Sequence, residues 1–144
     1  MDAASHVSPS QDLDLLAINT ALNRAQAVIE FELDGTILHA NDNFLRMLGY
    51  GLAEVQGRHH AMFCDAGYAK TPAYRQFWAG LARGESDRGE YKRLTKEGKE
   101  VWINASYNPI FDADGKPYKV IKFATDITAS KRRNADYEGR MDAI

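Results

Sequence analysis

Residues 27–50, AVIEFELDGTILHANDNFLRMLGY, restrict the possible folds of this chain more than any other stretch. Ile29, Phe31 and Leu33 alternate with Glu30 and Glu32, the two-residue period of a strand with one face buried. Asp34-Gly35 comes next, and that pair favours a tight hairpin because glycine adopts the positive φ of the turn without a steric penalty. A second strand is expected over 36–40. Asn41 or Asp42 then offers a side-chain oxygen to the free amides of a helix start, with Phe44, Leu45 and Leu48 on its buried face and Gly49 at its end. A hairpin followed at once by a helix puts the two against each other over a small pocket.

Upstream, residues 1–10 are polar and expected to be loose. Leu15, Ile18, Leu22 and Ala25 recur three or four apart and predict an amphipathic helix over 11–26. Its apolar stripe must be covered either by its own domain or by a second subunit. Downstream, a short helical turn is expected over 52–55, and residues 58–70 read as loop with helical turns. Thr71 as cap and Pro72 in the first turn open a helix whose Tyr74, Phe77, Trp78 and Leu81 fall at i, i+3, i+4 and i+7. Three more strands are expected over 91–95, 101–111 and 119–128, joined through KEGK and DADG turns. Strands joined so tightly must pair antiparallel. The result is an α+β domain over 27–128: a five-stranded antiparallel sheet with helices on one face enclosing a pocket. The charged segment 129–144 reads as an output linker helix, capped by Thr128 or Ser130.

Composition narrows the function. A formal charge of −2 gives no electrostatic basis for binding nucleic acid or an anionic membrane. The single cysteine, Cys64, has no internal partner, which fits a reducing compartment. With no signal peptide and no run long enough to span a bilayer, the chain reads as cytoplasmic, without direct membrane insertion. Cys64 beside His60 and Asp65 superficially offers a nucleophile, a base and an orienting acid. No paired carboxylates, glycine-rich phosphate loop or metal-ligand spacing accompanies them, so the expectation is a non-enzyme with no metal site. Asp112 and Asp114 read as turn formers beside Gly115.

DGTILHANDNFLRMLGY, LAEVQGR and KRLTKEGKEVWINASYNPIFDADGKPYKVIKFATDIT resemble the successive blocks of a PAS domain. FCDAGYAKTPAYRQFWAGLARGE is similar to the matching part of PAS modules in bacterial methyl-accepting chemotaxis receptors, flavin-carrying aerotaxis receptors among them. Both flanks, AINTALNRAQAVIEF and NADYEGRMDAI, are similar to phrases that join PAS modules in series. The resemblance implies a sensory, signal-transducing module. Ligand or redox state would pass through Asp126-Ile127-Thr128 to the output helix of a homodimer, next to another PAS or signalling domain of the same receptor. Dimer contacts are expected through the N-terminal helix or the outer sheet face.

The resemblance also implies a pocket. Trp78 stands where flavin-binding relatives carry a tryptophan, and it either walls a flavin ring or serves as core. Arg93 stands where similar flavin domains carry asparagine, and Ile103 and Ala124 stand where light-sensing members carry asparagine and glutamine. Gly57-Arg58-His59-His60 replaces their adduct-forming cysteine motif, so that photochemistry is not implied. Val101, Ile103, Ala105 and Tyr107 share the strand face turned to the pocket, which leaves Trp102 on the outer face in need of a cover. Heme-binding members draw an axial histidine from the helix that here spans 72–83 and has none. His59 and His60 lie earlier, and as chain neighbours at most one of them faces a pocket; the other reading has both bonded to backbone or solvent. The candidate set is therefore Trp78, Arg93, His60, Phe77, Ile103, Ala105, Tyr107 and Ala124. FAD is the expected cofactor. Heme, or a side-chain-filled dimerisation module with no cofactor, are the alternatives.

Overall fold

A computed structural model of the chain describes residues 8–134. Two helices, α2 (Asp42–Leu48) and α5 (Pro72–Ala82), with the short α3 (Leu52–Val55), a 3₁₀ turn (His60–Phe63) and α4 (Ala66–Ala69), separate two strands from three. The strands are β1 (Ala27–Phe31), β2 (Ile37–Ala40), β3 (Asp87–Leu94), β4 (Glu100–Phe111) and β5 (Pro117–Asp126). A helix α1 (Pro9–Ala25) precedes them, and a helix α6 begins over 128–134. Residues 1–7 of the expected loose N-terminus, and residues 135–144 of the expected linker helix, lie outside the described residues.

All five strands pair antiparallel, in the order β2-β1-β5-β4-β3, giving the expected α+β architecture. The first and last strands therefore lie side by side at the centre, with Ala27 opposite Ala124. This register brings the entry from α1 and the exit to α6 to one end of the sheet. Alternation sorts the residues of each strand: Val101, Ile103, Ala105, Tyr107 and Pro109 of β4, and Val120, Lys122 and Ala124 of β5, are buried on the helix side.

The hairpin turn closes through the Gly35 N–H to the Glu32 carbonyl and the Glu32 N–H to the Thr36 carbonyl. Gly35 is needed there for two reasons. Its φ is +95°, and a Cβ would fall 2.7 Å from His59 Nε2 and 3.0 Å from the Trp78 ring. Asn41 joins three elements at once. Its Oδ1 accepts the amides of Val28 and Phe44, the latter as the cap of α2, while its Nδ2 donates to the carbonyls of Asn23 and Gln26. Asn43 adds bonds to the carbonyls of Asn23, Arg24 and Gln26, so that these two amides satisfy the end of α1.

Three expectations change. Helix α1 starts at Pro9, earlier than the pattern suggested, because Ser8 and Gln11 close a reciprocal capping box ahead of it. Its apolar stripe does not pack on its own domain. No residue of α1 is buried, and Leu15, Ile18 and Leu22 are 58%, 50% and 41% exposed. Gln26 is extended and runs straight into β1, so nothing folds the helix back over the sheet. The half-buried Trp102 is covered by α6, whose Lys131 Nζ lies 4.8 Å from the ring centre, and not by α1.

Candidate functional site

The segment following α3 is fastened to the edge strand β2. Ile37 N–H donates to Arg58 O (2.7 Å), Gly57 N–H to Ile37 O (2.8 Å), and His60 N–H to Gly35 O (2.9 Å). In this extended stretch neighbouring side chains point opposite ways, which separates the two histidines. His59 stays on the outer side. Its Nδ1 accepts the Ala61 amide, which leaves Nε2–H to donate to Asp34 O at 2.7 Å. His60 is fully buried, so the reading of both as backbone- or solvent-bonded loop histidines holds only for His59.

His60 is the middle of a buried polar chain: Nδ1 lies 2.7 Å from Tyr74 Oη and Nε2 lies 2.9 Å from Tyr107 Oη. Arg93 Nη2 donates to Tyr107 Oη at 3.0 Å. A guanidinium can only donate, so the Tyr107 oxygen accepts from Arg93. Each His60 ring nitrogen faces a tyrosine hydroxyl, and a neutral ring donates through one nitrogen and accepts at the other. Arg93, Tyr107, His60 and Tyr74 thus form one hydrogen-bonded relay from β3 and β4 to α5. Burial, reinforced by the charges of Lys122 and Arg93, holds the His60 pKa well below its ordinary value, so the ring is neutral. Burial also pushes the Tyr107 phenol up to about 12.

Aromatic rings crowd around the relay. Trp78 lies edge-on to Phe31 at 5.2 Å and to His60 at 5.3 Å, and the half-buried Phe77 meets Tyr107 at 4.8 Å. Ile103, Ala105 and Ala124 are all buried, with Ala105 opposite Ala124 across β4 and β5. All eight sequence-predicted residues therefore line the helix-facing side of the sheet or the elements packed on it. These rings line the space where a pocket was expected.

Three interior residues were missed. Tyr74 ends the relay. Cys64 is buried with Sγ 3.7 Å from His60 Nδ1, and its thiol pKa is raised by burial, so no nucleophilic thiolate is present. The third, Lys122, is 1% exposed on the central strand, between Ile29 of β1 and Tyr107 of β4. Its Nζ lies 4.7 Å from the Tyr107 ring centre and 5.7 Å from that of Phe44, with no hydrogen-bond partner among the described residues. Burial, then the charge of Arg93, pushes its pKa well below the lysine range. Two more buried donors have no acceptor among the described residues: Arg93 Nε and Trp78 Nε1, the latter directed toward Tyr74 without closing a bond.

These groups test the cofactors. A flavin ring edge is rich in acceptors, and a set of unpartnered donors beside a tryptophan suits it chemically; the packed rings would have to part to admit it. Heme fits less well, because both His60 nitrogens are already hydrogen-bonded. Among the described residues, no group of three or more His, Cys, Asp or Glu is placed to hold a metal ion. None of their helices is long and apolar enough to cross a membrane.

The chain belongs to the PAS fold family, whose pattern matches residues 37–124. It is 47% identical over 142 residues to the biofilm dispersion protein BdlA of Pseudomonas aeruginosa, a match covering 99% of this chain and 32% of that protein. It is 33% identical over 107 residues to the aerotaxis receptor of Escherichia coli, covering 74% of this chain and 20% of the receptor. The chain thus spans a third or less of these relatives. Among solved structures, an RNA-binding light-oxygen-voltage receptor superposes with a TM-score of 0.74 at 20% identity, over 99% of this chain and 40% of that one. A PAS domain from Colwellia psychrerythraea does so with 0.69 at 22%, over 81% and 98%. Both likenesses concern the fold.

Proposed function

We propose that this chain is a non-enzymatic, cytoplasmic sensory module of a chemotaxis-type receptor. It holds a small ligand, FAD in the first place, between α5 and the β3-β4-β5 face, and reports its state through the flanking helices. The observation that carries this reading is the polar interior. A hydrogen-bonded relay and three unpartnered donors converge where a purely structural core would be apolar, since buried donors without acceptors cost stability. The named relatives, a dispersion protein and an aerotaxis receptor, support the receptor context. Trp78 would wall the flavin, with Arg93 and Lys122 at its acceptor edge. The module works as a homodimer through the exposed stripe of α1, beside a neighbouring PAS or signalling domain. An absorbance spectrum of protein refolded with added FAD and heme tests the ligand: a blue-region flavin band is expected. A Soret band would favour heme, and a colourless protein would end the flavin reading in favour of a cofactor-free module. Trp78→Ala should abolish flavin loading, and retained loading removes the wall role.

A further inference from the structure

We infer that the interior of this domain is an anion receptor, in which Arg93 and Lys122 together hold a negatively charged acceptor group of a planar ligand whose remainder lies among the aromatic side chains. The inference rests on the reading of the interior as a ligand site, but it does not depend on the ligand being FAD. Two sources share the required chemistry: the carboxylate of a small aromatic acid, and the electron-rich ring edge of an anionic flavin.

The charge balance of the core leads to this conclusion. Among the described residues its buried polar or charged residues are His60, Arg93 and Lys122, with no Asp or Glu in that set. Buried cations are ordinarily paired. Arg93 is 4% exposed and permanently charged; its Nη1 and Nη2 reach only a neutral carbonyl and a neutral phenol, and its Nε reaches nothing. Lys122 adds a second potential cation whose Nζ touches only ring faces. The groups facing it across the sheet and helices are Tyr107 of β4, Arg93 of β3, His60 and Cys64 of the 3₁₀ turn and its end, and Phe44 of α2. None is an anion: the phenol and the thiol both stay protonated. An anion entering here would meet two unpaired donors in a low-dielectric surrounding and would let Lys122 take up a proton.

An approach exists. A cleft of about 370 Å³ opens between α4 and β3, lined by Tyr68, Tyr91 and Arg93, with Asp65, Glu90 and Lys92 around them. Its two carboxylates are already engaged, Glu90 with Lys131 at 2.6 Å and Asp65 with the Gly67 amide at 2.9 Å. They leave Arg93 as the buried guanidinium beside the cleft.

The test uses the full chain carrying Trp102→Phe, so that Trp78 is its sole tryptophan, with benzoate, benzamide and FAD as probes. If the ligand is an aromatic acid, benzoate changes Trp78 emission saturably, the neutral benzamide does not, and both Lys122→Met and Arg93→Gln weaken benzoate at least about tenfold, the scale of one charged hydrogen bond. If the source is the flavin, benzoate is silent, FAD loads, and the two variants lose FAD by a similar factor. Calorimetry in buffers of different ionisation enthalpy gives a readout that does not depend on either variant folding: below pH 10.5 the bound probe should draw protons into the wild-type protein, up to one per site. Binding of benzoate with FAD rejected would end the flavin reading and leave the anion receptor standing. FAD loading equally in wild type and both variants, with no proton uptake and silent benzoate, would overturn the anion receptor and leave the flavin sensor intact. Benzamide binding as well as benzoate, or none of the three probes binding, also overturns it.

Discussion

Lys122 allows the sharpest test of the interior in the absence of ligand. Replacing it with methionine keeps an unbranched side chain out to Cε and removes the amine from a site that gives it no partner. Because the folded pKa is lowered from its ordinary value of 10.5, the unfolded chain binds a proton that the native state rejects at any pH between those two values. Wild-type stability therefore falls as pH is lowered through that window, by up to about 1.4 kcal/mol per pH unit, while Lys122→Met has no proton to lose. Below pH 10.5 the stability gap between variant and wild type should accordingly widen as pH is lowered, at up to about 1.4 kcal/mol per pH unit, with the variant the more stable. Tyr74, Tyr91 and Tyr107, whose pKa values are raised, titrate alike in both proteins and cancel. Guanidinium unfolding at four pH values measures the gap. A gap that stays constant across the range, or a variant that is less stable at neutral pH, would mean that Lys122 is charged and paired in the fold, and the account of the interior would be wrong.

Gly35→Ala imposes a positive φ on a side chain that also meets His59 and Trp78. A loss of about 2 kcal/mol or more by thermal or chemical unfolding is expected, and a loss under about 0.5 kcal/mol would show that the turn relaxes freely. Asn41→Ala removes both bonds that its Oδ1 accepts, one of them the cap of α2. It should cost about 2 kcal/mol and also raise hydrogen exchange at the amide of Val28, whereas an unchanged Val28 amide would rule out the joint. His60 is held neutral, so as pH falls below about 6.5 the unfolded chain gains a proton that the native state refuses. Stability should decline there, and His60→Gln should reduce that slope; parallel acid limbs would contradict it.

How far the sequence could be read depended on how local the cause was. The hairpin, the Asn41 cap and the Gly49 end of α2 were legible because each is decided within a few residues, and strict alternation exposed the buried face of β4. The same alternation places Lys122 two residues before Ala124, on the face already assigned to the interior. It was passed over because lysine almost always ends in solvent, so here the composition prior outweighed the period. His60 was ambiguous for a related reason: two adjacent histidines have opposite directions, but only the bridge of residues 57–60 to β2 shows which one turns inward. The destination of α1 was not legible at all, because an apolar stripe carries no address.

The sheet order suggests how events in the interior reach the flanks. Lys122 lies on β5, four residues before Asp126, whose carboxylate accepts the Thr128 amide at the start of α6. Thr128 Oγ1 in turn accepts the Trp102 amide of β4. On the adjacent strand, Ile29 stands opposite Lys122, and one residue earlier Val28 is tied to Asn41, which also holds the carbonyl end of α1. A group that charged or displaced Lys122 would therefore strain two neighbouring strands whose ends carry the two helices leaving the domain. It can bias those helices only by the difference in free energy with which it binds their two arrangements. A signal from the proposed site would need no long path through this fold, because Lys122 and both exits share the central strand pair.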